Sequence, residues 1–155
     1  MAEPARQVIA EQRTIDGQGV WGRDTRLFLE LMLSRAINQF NVKISNSEKC
    51  PGVIYYDRAI PDCLAYAASA GMVLPHFERA ALEFRYEQDI WLLSPWQDIY
   101  MQDSERHISF AETCEFHWAL VGWYTRVGYR VREVGPSSVE QRVELVLGGS
   151  PSGRR

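Results

Sequence analysis

The pair Asp57-Arg58 offers the chain's most chemically useful spacing. It follows Val53-Ile54-Tyr55-Tyr56, a short β-branched and aromatic run that reads as a buried strand. A carboxylate and a guanidinium then sit where such a strand ends, the edge at which α/β sheets bind ligands. Asp57 there would hold Mg²⁺ or accept a hydroxyl proton, and Arg58 would clamp a phosphoryl group. A structural Asp-Arg pair, or an N-cap for a helix over 60–71, explains the spacing equally well. The segment 95–106, PWQDIYMQDSER, contains a second set. Its Arg106 would bring positive charge to a transferring phosphate if the segment closed over a nucleotide. A solvated loop with Ser104 or Asp103 capping the next helix is the plainer reading of that segment alone. Gly17-Gln-Gly-Val-Trp-Gly22-Arg23-Asp24-Thr25 imitates G-x-x-x-x-G-K-[ST]. It lacks a preceding strand, and Arg and Asp replace the lysine and the hydroxyl, so it reads against a phosphate loop. Cys114 and His117 share a helical face without a second ligand pair, and His76 and His107 stand apart, which argues against zinc.

The elements that must carry these groups alternate in period. Apolar residues at helical spacing mark helices over 3–13, from Thr25 to about Phe40, over 60–71, 76–87 and 108–126, and from Ser137 onward. Ser137 and Glu140 suggest a capping box for the last. Asp89–Leu93 and Gly128–Val134 read as further strands, the second alternating as an edge strand does. Strands separated by helices imply parallel pairing and an α/β class. A single domain is expected over 1–148, with 149–155 as a disordered tail.

Composition limits the functions available. The chain has 155 residues, 46% of them apolar, enough for one domain with a core. Lys and Arg number 17 against 20 Asp and Glu, a net charge of -3 that argues against nucleic-acid or anionic-membrane surfaces. No apolar run approaches a membrane span, and the amino terminus has no signal-peptide layout. Cys50, Cys63 and Cys114 are too few and odd in number for a disulfide framework, so a cytoplasmic location is expected.

Several short motifs occur in order: Glu3-Pro-Ala-Arg6-Gln-Val-Ile9, Asp24-x-x-x-Phe28, Tyr56-Asp57-Arg58-x-x-Pro61-Asp62, Pro95-Trp96-x-x-Ile99-Tyr100-x-x-Asp103-x-x-Arg106, Gly128-Tyr129 and Ser138-Val139-x-x-Arg142. Together they resemble the AAA-like P-loop ATPase/kinase domains. The pattern is similar to the nicotinamide-riboside-kinase domain of NadR-type proteins and, more distantly, to thymidylate kinases. The resemblance implies an α/β, P-loop NTPase-type fold, a five-stranded parallel sheet with helices on both faces. It implies phosphoryl transfer from ATP and Mg²⁺ to a small nucleoside-like or other hydroxyl acceptor, or ATP hydrolysis. Asp57, Arg58 and Arg106 match catalytic positions, with Asp57 acting indirectly on Mg²⁺. Glu3, Arg6, Asp24 and Phe28 match the acceptor pocket. Arg106, Pro136, Ser137 and Arg142 match the nucleotide side. The family's first strand, its G-x-x-x-x-G-K-[ST] loop and its first helix have no counterpart here. The expectation is therefore an amino-terminally truncated form that binds ATP weakly and is inactive. The expected partners are a small-molecule acceptor and, through the exposed sheet, a second copy. A non-catalytic remnant serving binding or self-association is the alternative.

Overall fold

The computed structural model describes residues 3–46, 52–101 and 108–149, and the chain divides into two compact units, Met1–Arg85 and Tyr86–Arg155.

The first unit is helical. Pro4 opens α1 (Pro4–Thr14), as suits a residue with no amide hydrogen to leave unsatisfied. Its Ala5 and Val8 are buried. The chain then turns through 15–24 into α2 (Thr25–Asn46), whose start is capped by Asp24, with Oδ1 accepting from the Leu27 amide at 2.9 Å. Phe28, Leu29, Met32, Leu33, Ala36 and Phe40 form its buried stripe, while Leu27 beside it is 39% exposed. Arg35 on α2 holds Glu11 on α1 through Nε and Nη2, the latter at 2.6 Å, and this holds the Glu11 carboxyl below its ordinary range. Next come α3 (Ile60–Ser69) and α4 (Pro75–Glu83). Ile60, Cys63, Ala65, Phe77 and Ala81 complete the core. Gly71, at φ 67, makes the left-handed turn that ends α3, a conformation a Cβ disfavours.

One expectation fails in this unit. Residues 53–56 form no strand, and Val53, Ile54 and Tyr55 are 37%, 38% and 43% exposed rather than buried. A strand exists only through its ladder, and the sheet among the described residues does not include this segment. Apolar β-propensity identified a segment suited to a sheet but not a sheet partner.

The second unit is a parallel β-α-β arrangement. β1 (Asp89–Leu93) pairs with β2 (Arg130–Val134), with Asp89 opposite Arg130 and Leu93 opposite Val134. The connection carries a short 3-10 turn at Gln97–Ile99 and α5 (Phe110–Arg126). Ser109 caps α5 reciprocally with Glu112, displacing the expected caps at 103–104, which lie outside the described residues. His117, Leu120 and Tyr124 form the buried face of α5. Among the described residues the sheet has these two strands, where the resemblance implies five. Arg130 and Arg132 both reach Asp89 and, led by the Arg130 hydrogen bond, hold its carboxyl below the usual range.

The final helix, α6, spans Val139–Gly149. Its capping pair is Ser138 with Gln141, one residue beyond the expected Ser137 and Glu140. The helix runs one residue into the stretch expected as tail. The Trp91 indole lies where a Cβ on Gly149 would sit, so this close approach requires glycine. Residues 150–155 lie outside the described residues.

Candidate functional site

A small cleft opens where α1 and α3 begin, lined by Glu3, Pro4, Ala5, Met32, Arg58, Ala59, Asp62, Cys63 and Tyr66. The space within it is about 10 Å³, room for about one water and far below the roughly 300–1,000 Å³ of a complete small-molecule site.

Its charged centre is Arg58. The residue has φ 69, the left-handed region that costs a non-glycine residue about 1–2 kcal/mol. Such strain persists where surrounding contacts over-determine it, commonly at functional sites. The contacts here are two carboxylates. Arg58 Nη1 donates to Asp62 Oδ1 at 3.1 Å, and Nε lies 3.9 Å from Glu3 Oε1. Glu3 also accepts from Arg6 Nε at 3.2 Å, so one carboxylate serves two guanidinium groups. Among the described residues, Arg58 Nη2 makes no hydrogen bond. Burial opposes the Arg58 charge, but Asp62, Tyr66 and Glu3 outweigh it and keep the guanidinium protonated.

Asp62 is 4% exposed. Its second oxygen, Oδ2, accepts from the Ala59 amide at 2.8 Å, satisfying a free donor at the start of α3. Burial pushes the neighbouring Cys63 thiol up, with Asp62 adding to the effect, so this cysteine is an inert core group rather than a nucleophile. Burial likewise raises Tyr66, and its ring meets the half-exposed Trp21 edge-on at 6.1 Å.

The structure brings together only part of the residue set singled out by the sequence. Glu3 and Arg58 line the cleft, and Arg6 touches it through Glu3. Asp57 is exposed at the bend before α3 and makes no hydrogen bond or ion pair among the described residues. Asp24 and Phe28 are not among the lining residues: Asp24 caps α2, while Phe28 is 2% exposed in the core beneath Trp21. Pro136, Ser137 and Arg142 belong to the second unit, where the Arg142 guanidinium lies over the Trp96 ring at 5.9 Å and its buried Nε has no partner. Arg106 lies outside the described residues. The sequence reading gave Asp62 and Tyr66 no role. Position three of a helix is the signal that was available for Asp62, and nothing local marks Tyr66.

The glycine-rich segment confirms its reading against a phosphate loop. Gly17 N donates to Gln12 O, Gly19 N to Gln12 Oε1 and Gly22 N to Thr25 Oγ1, so these amides are already used. A helix, not a strand, precedes it.

A family model described as an AAA domain matches residues 1–142. The chain belongs to the AAA domain family. Neither the curated proteins nor the solved structures contain a match. Membership places this AAA domain among P-loop proteins, whose activity in general depends on a nucleotide and which generally bind ATP with Mg²⁺. The residues fit that pair unequally. Mg²⁺ usually takes one or two protein carboxylates plus substrate phosphates, and the unpaired Asp57 could supply one. No group of three or more His, Cys, Asp or Glu able to hold a metal occurs among the described residues. The segment 17–25 is a poor triphosphate cradle, because the amides of Gly17, Gly19, Val20, Gly22, Arg23 and Asp24 already have acceptors. No helix among the described residues is long and apolar enough to cross a membrane.

Proposed function

We propose that this AAA domain carries the acceptor side of an ATP-dependent phosphotransferase or ATPase of the kinase-like P-loop group. The observation that carries the reading is Arg58, strained at φ 69, bound by two carboxylates and left with Nη2 to offer a ligand. A small hydroxyl compound, nucleoside-like as in the NadR-type and thymidylate kinases the sequence resembles, would place an oxygen against that donor. Asp57 would hold Mg²⁺ through solvent or receive a hydroxyl proton. The resemblance gives Arg106 the role of supplying charge and gives Pro136, Ser137 and Arg142 the nucleotide side. No G-x-x-x-x-G-K-[ST] motif occurs in these 155 residues. Turnover by the chain alone is therefore expected to be nil. The sparse cysteines and the buried, inert Cys63 suit a reducing cytoplasm.

Calorimetric titration of the full chain with nicotinamide riboside, thymidine and a simple polyol tests the reading. Binding of at least one, weakened about tenfold by Arg58→Gln, supports it, since a hydrogen bond to a charged group is worth roughly 1.5–3 kcal/mol. Equal affinity in both proteins, or no binding at all, sinks it.

The exposed Val53, Ile54 and Tyr55 favour a second reading, a non-catalytic module that self-associates through this segment. It predicts a concentration-dependent dimer in sedimentation that Ile54→Lys abolishes. A monomer across the whole range rejects it.

A further inference from the structure

We propose that Asp62 is the positioning residue that presents Arg58 to an oxygen-bearing ligand; the ligand half of this statement rests on the acceptor-side reading above. The carboxylate divides its work between two atoms. Oδ2 takes the Ala59 amide at 2.8 Å and fixes the first turn of α3. Oδ1 takes Arg58 Nη1 at 3.1 Å and fixes the guanidinium. Asp62 is 4% exposed, so its charge is sheltered and its geometry is set by the core around it. Arg58 is constrained from both ends. Its backbone is turned left-handed at φ 69, and its head is held by Asp62 on one edge and approached by Glu3 at 3.9 Å on another. A long flexible side chain normally loses rotamer freedom when it binds, and these constraints remove that freedom beforehand. The planar fork then leaves Nη2, which makes no hydrogen bond among the described residues, to offer a ligand.

This assignment separates two roles that a simple helix cap would merge. An amide at position 62 has one acceptor oxygen. If that oxygen keeps the Ala59 amide, the amide's NH₂ must face the Arg58 guanidinium, placing donor against donor. The helix start survives and the guanidinium is released.

The test is nitrogen-15 relaxation of the Arg58 Nε–Hε signal in the full chain, with inorganic phosphate as the probe. In the unsubstituted protein the signal should be as ordered as the surrounding backbone and should shift on adding phosphate. In Asp62→Asn the order should collapse and the phosphate response should differ from that of the unsubstituted protein. The Ala59 amide should remain protected in that variant. Asp62→Ser, whose hydroxyl can accept from the Ala59 amide, gives the same readout should the Asn protein not fold. Unchanged Arg58 order and unchanged phosphate response in a folded variant would overturn the proposal. Loss of order without any phosphate response in the unsubstituted protein would uphold Asp62 as the positioning residue and count against the acceptor reading instead.

Discussion

Substituting Arg58 by glycine and by alanine tests whether its backbone is strained. Both changes remove the guanidinium and leave Asp62 buried without its Arg58 hydrogen bond. Breaking a buried ion pair costs about 3–5 kcal/mol, and the 30% exposure of the Arg58 side chain reduces this to about 2–3 kcal/mol. The two variants differ only in the residue at φ 69. Alanine there keeps the left-handed penalty of roughly 1–2 kcal/mol. Glycine escapes it but loses about 0.4–1 kcal/mol through its freer unfolded chain. The glycine variant should therefore be more stable than the alanine variant by about 0.5–1 kcal/mol, although both fall below the parent. Urea unfolding followed by far-ultraviolet circular dichroism reads the difference. With a slope near 2 kcal/mol per molar, the midpoints should separate by about 0.3–0.5 M urea. An alanine variant as stable as the glycine variant, at equal slopes, would show that position 58 carries no left-handed strain. Backbone strain would then give no reason to place a site at Arg58.

Other outcomes follow from the packing and the charges. Phe77→Ala, at a fully buried position, should cost about 3–5 kcal/mol by the same urea assay, and a loss below about 1 kcal/mol would mean the α4 core is not packed as described. Ser109→Ala should destabilise α5 by about 1 kcal/mol and move the Glu112 titration upward, because the Ser109 backbone and side chain hold that carboxyl low; an unmoved Glu112 curve by NMR would discount the capping pair. Asp89 is depressed from 3.8 by Arg130 first, so its stabilising contribution is present above about pH 4 and lost as pH falls through the lowered folded value. Asp89→Asn should thus lie below the parent in stability at neutral pH and converge with it in strong acid; parallel curves would refute the coupling. Cys63→Ser should leave the number of thiols labelled by a soluble disulfide reagent in the native protein unchanged, since the parent thiol is buried; a drop by one would show that the core opens.

Much of the local structure was legible because it is encoded locally. The helices of the first unit and both strands of the β-α-β unit follow from periodicity within each segment. The errors fall where a partner decides. Val53–Tyr56 has every strand propensity and no described ladder. Asp24 and Phe28 share a helix start, yet one caps while the other enters the core. Asp57 and Arg58 are adjacent, yet one is exposed and unpaired and the other is bound by two carboxylates. Spacing could not separate a ligand site from a structural ion pair at these residues. The structure shows an ion pair that leaves one donor free.

The sequence by itself determined the helices, the parallel strand pair, the acidic balance and the ordered motifs that match an AAA domain. These depend on residue type and short-range spacing, which a linear chain carries directly. Only the tertiary structure brought Glu3, Arg58 and Asp62 together across more than fifty residues, turned Arg58 left-handed and buried the carboxylate that holds it. Those outcomes depend on how α1 and α3 meet. Desolvation and ion pairing act between groups that are near in space, whatever their distance along the chain.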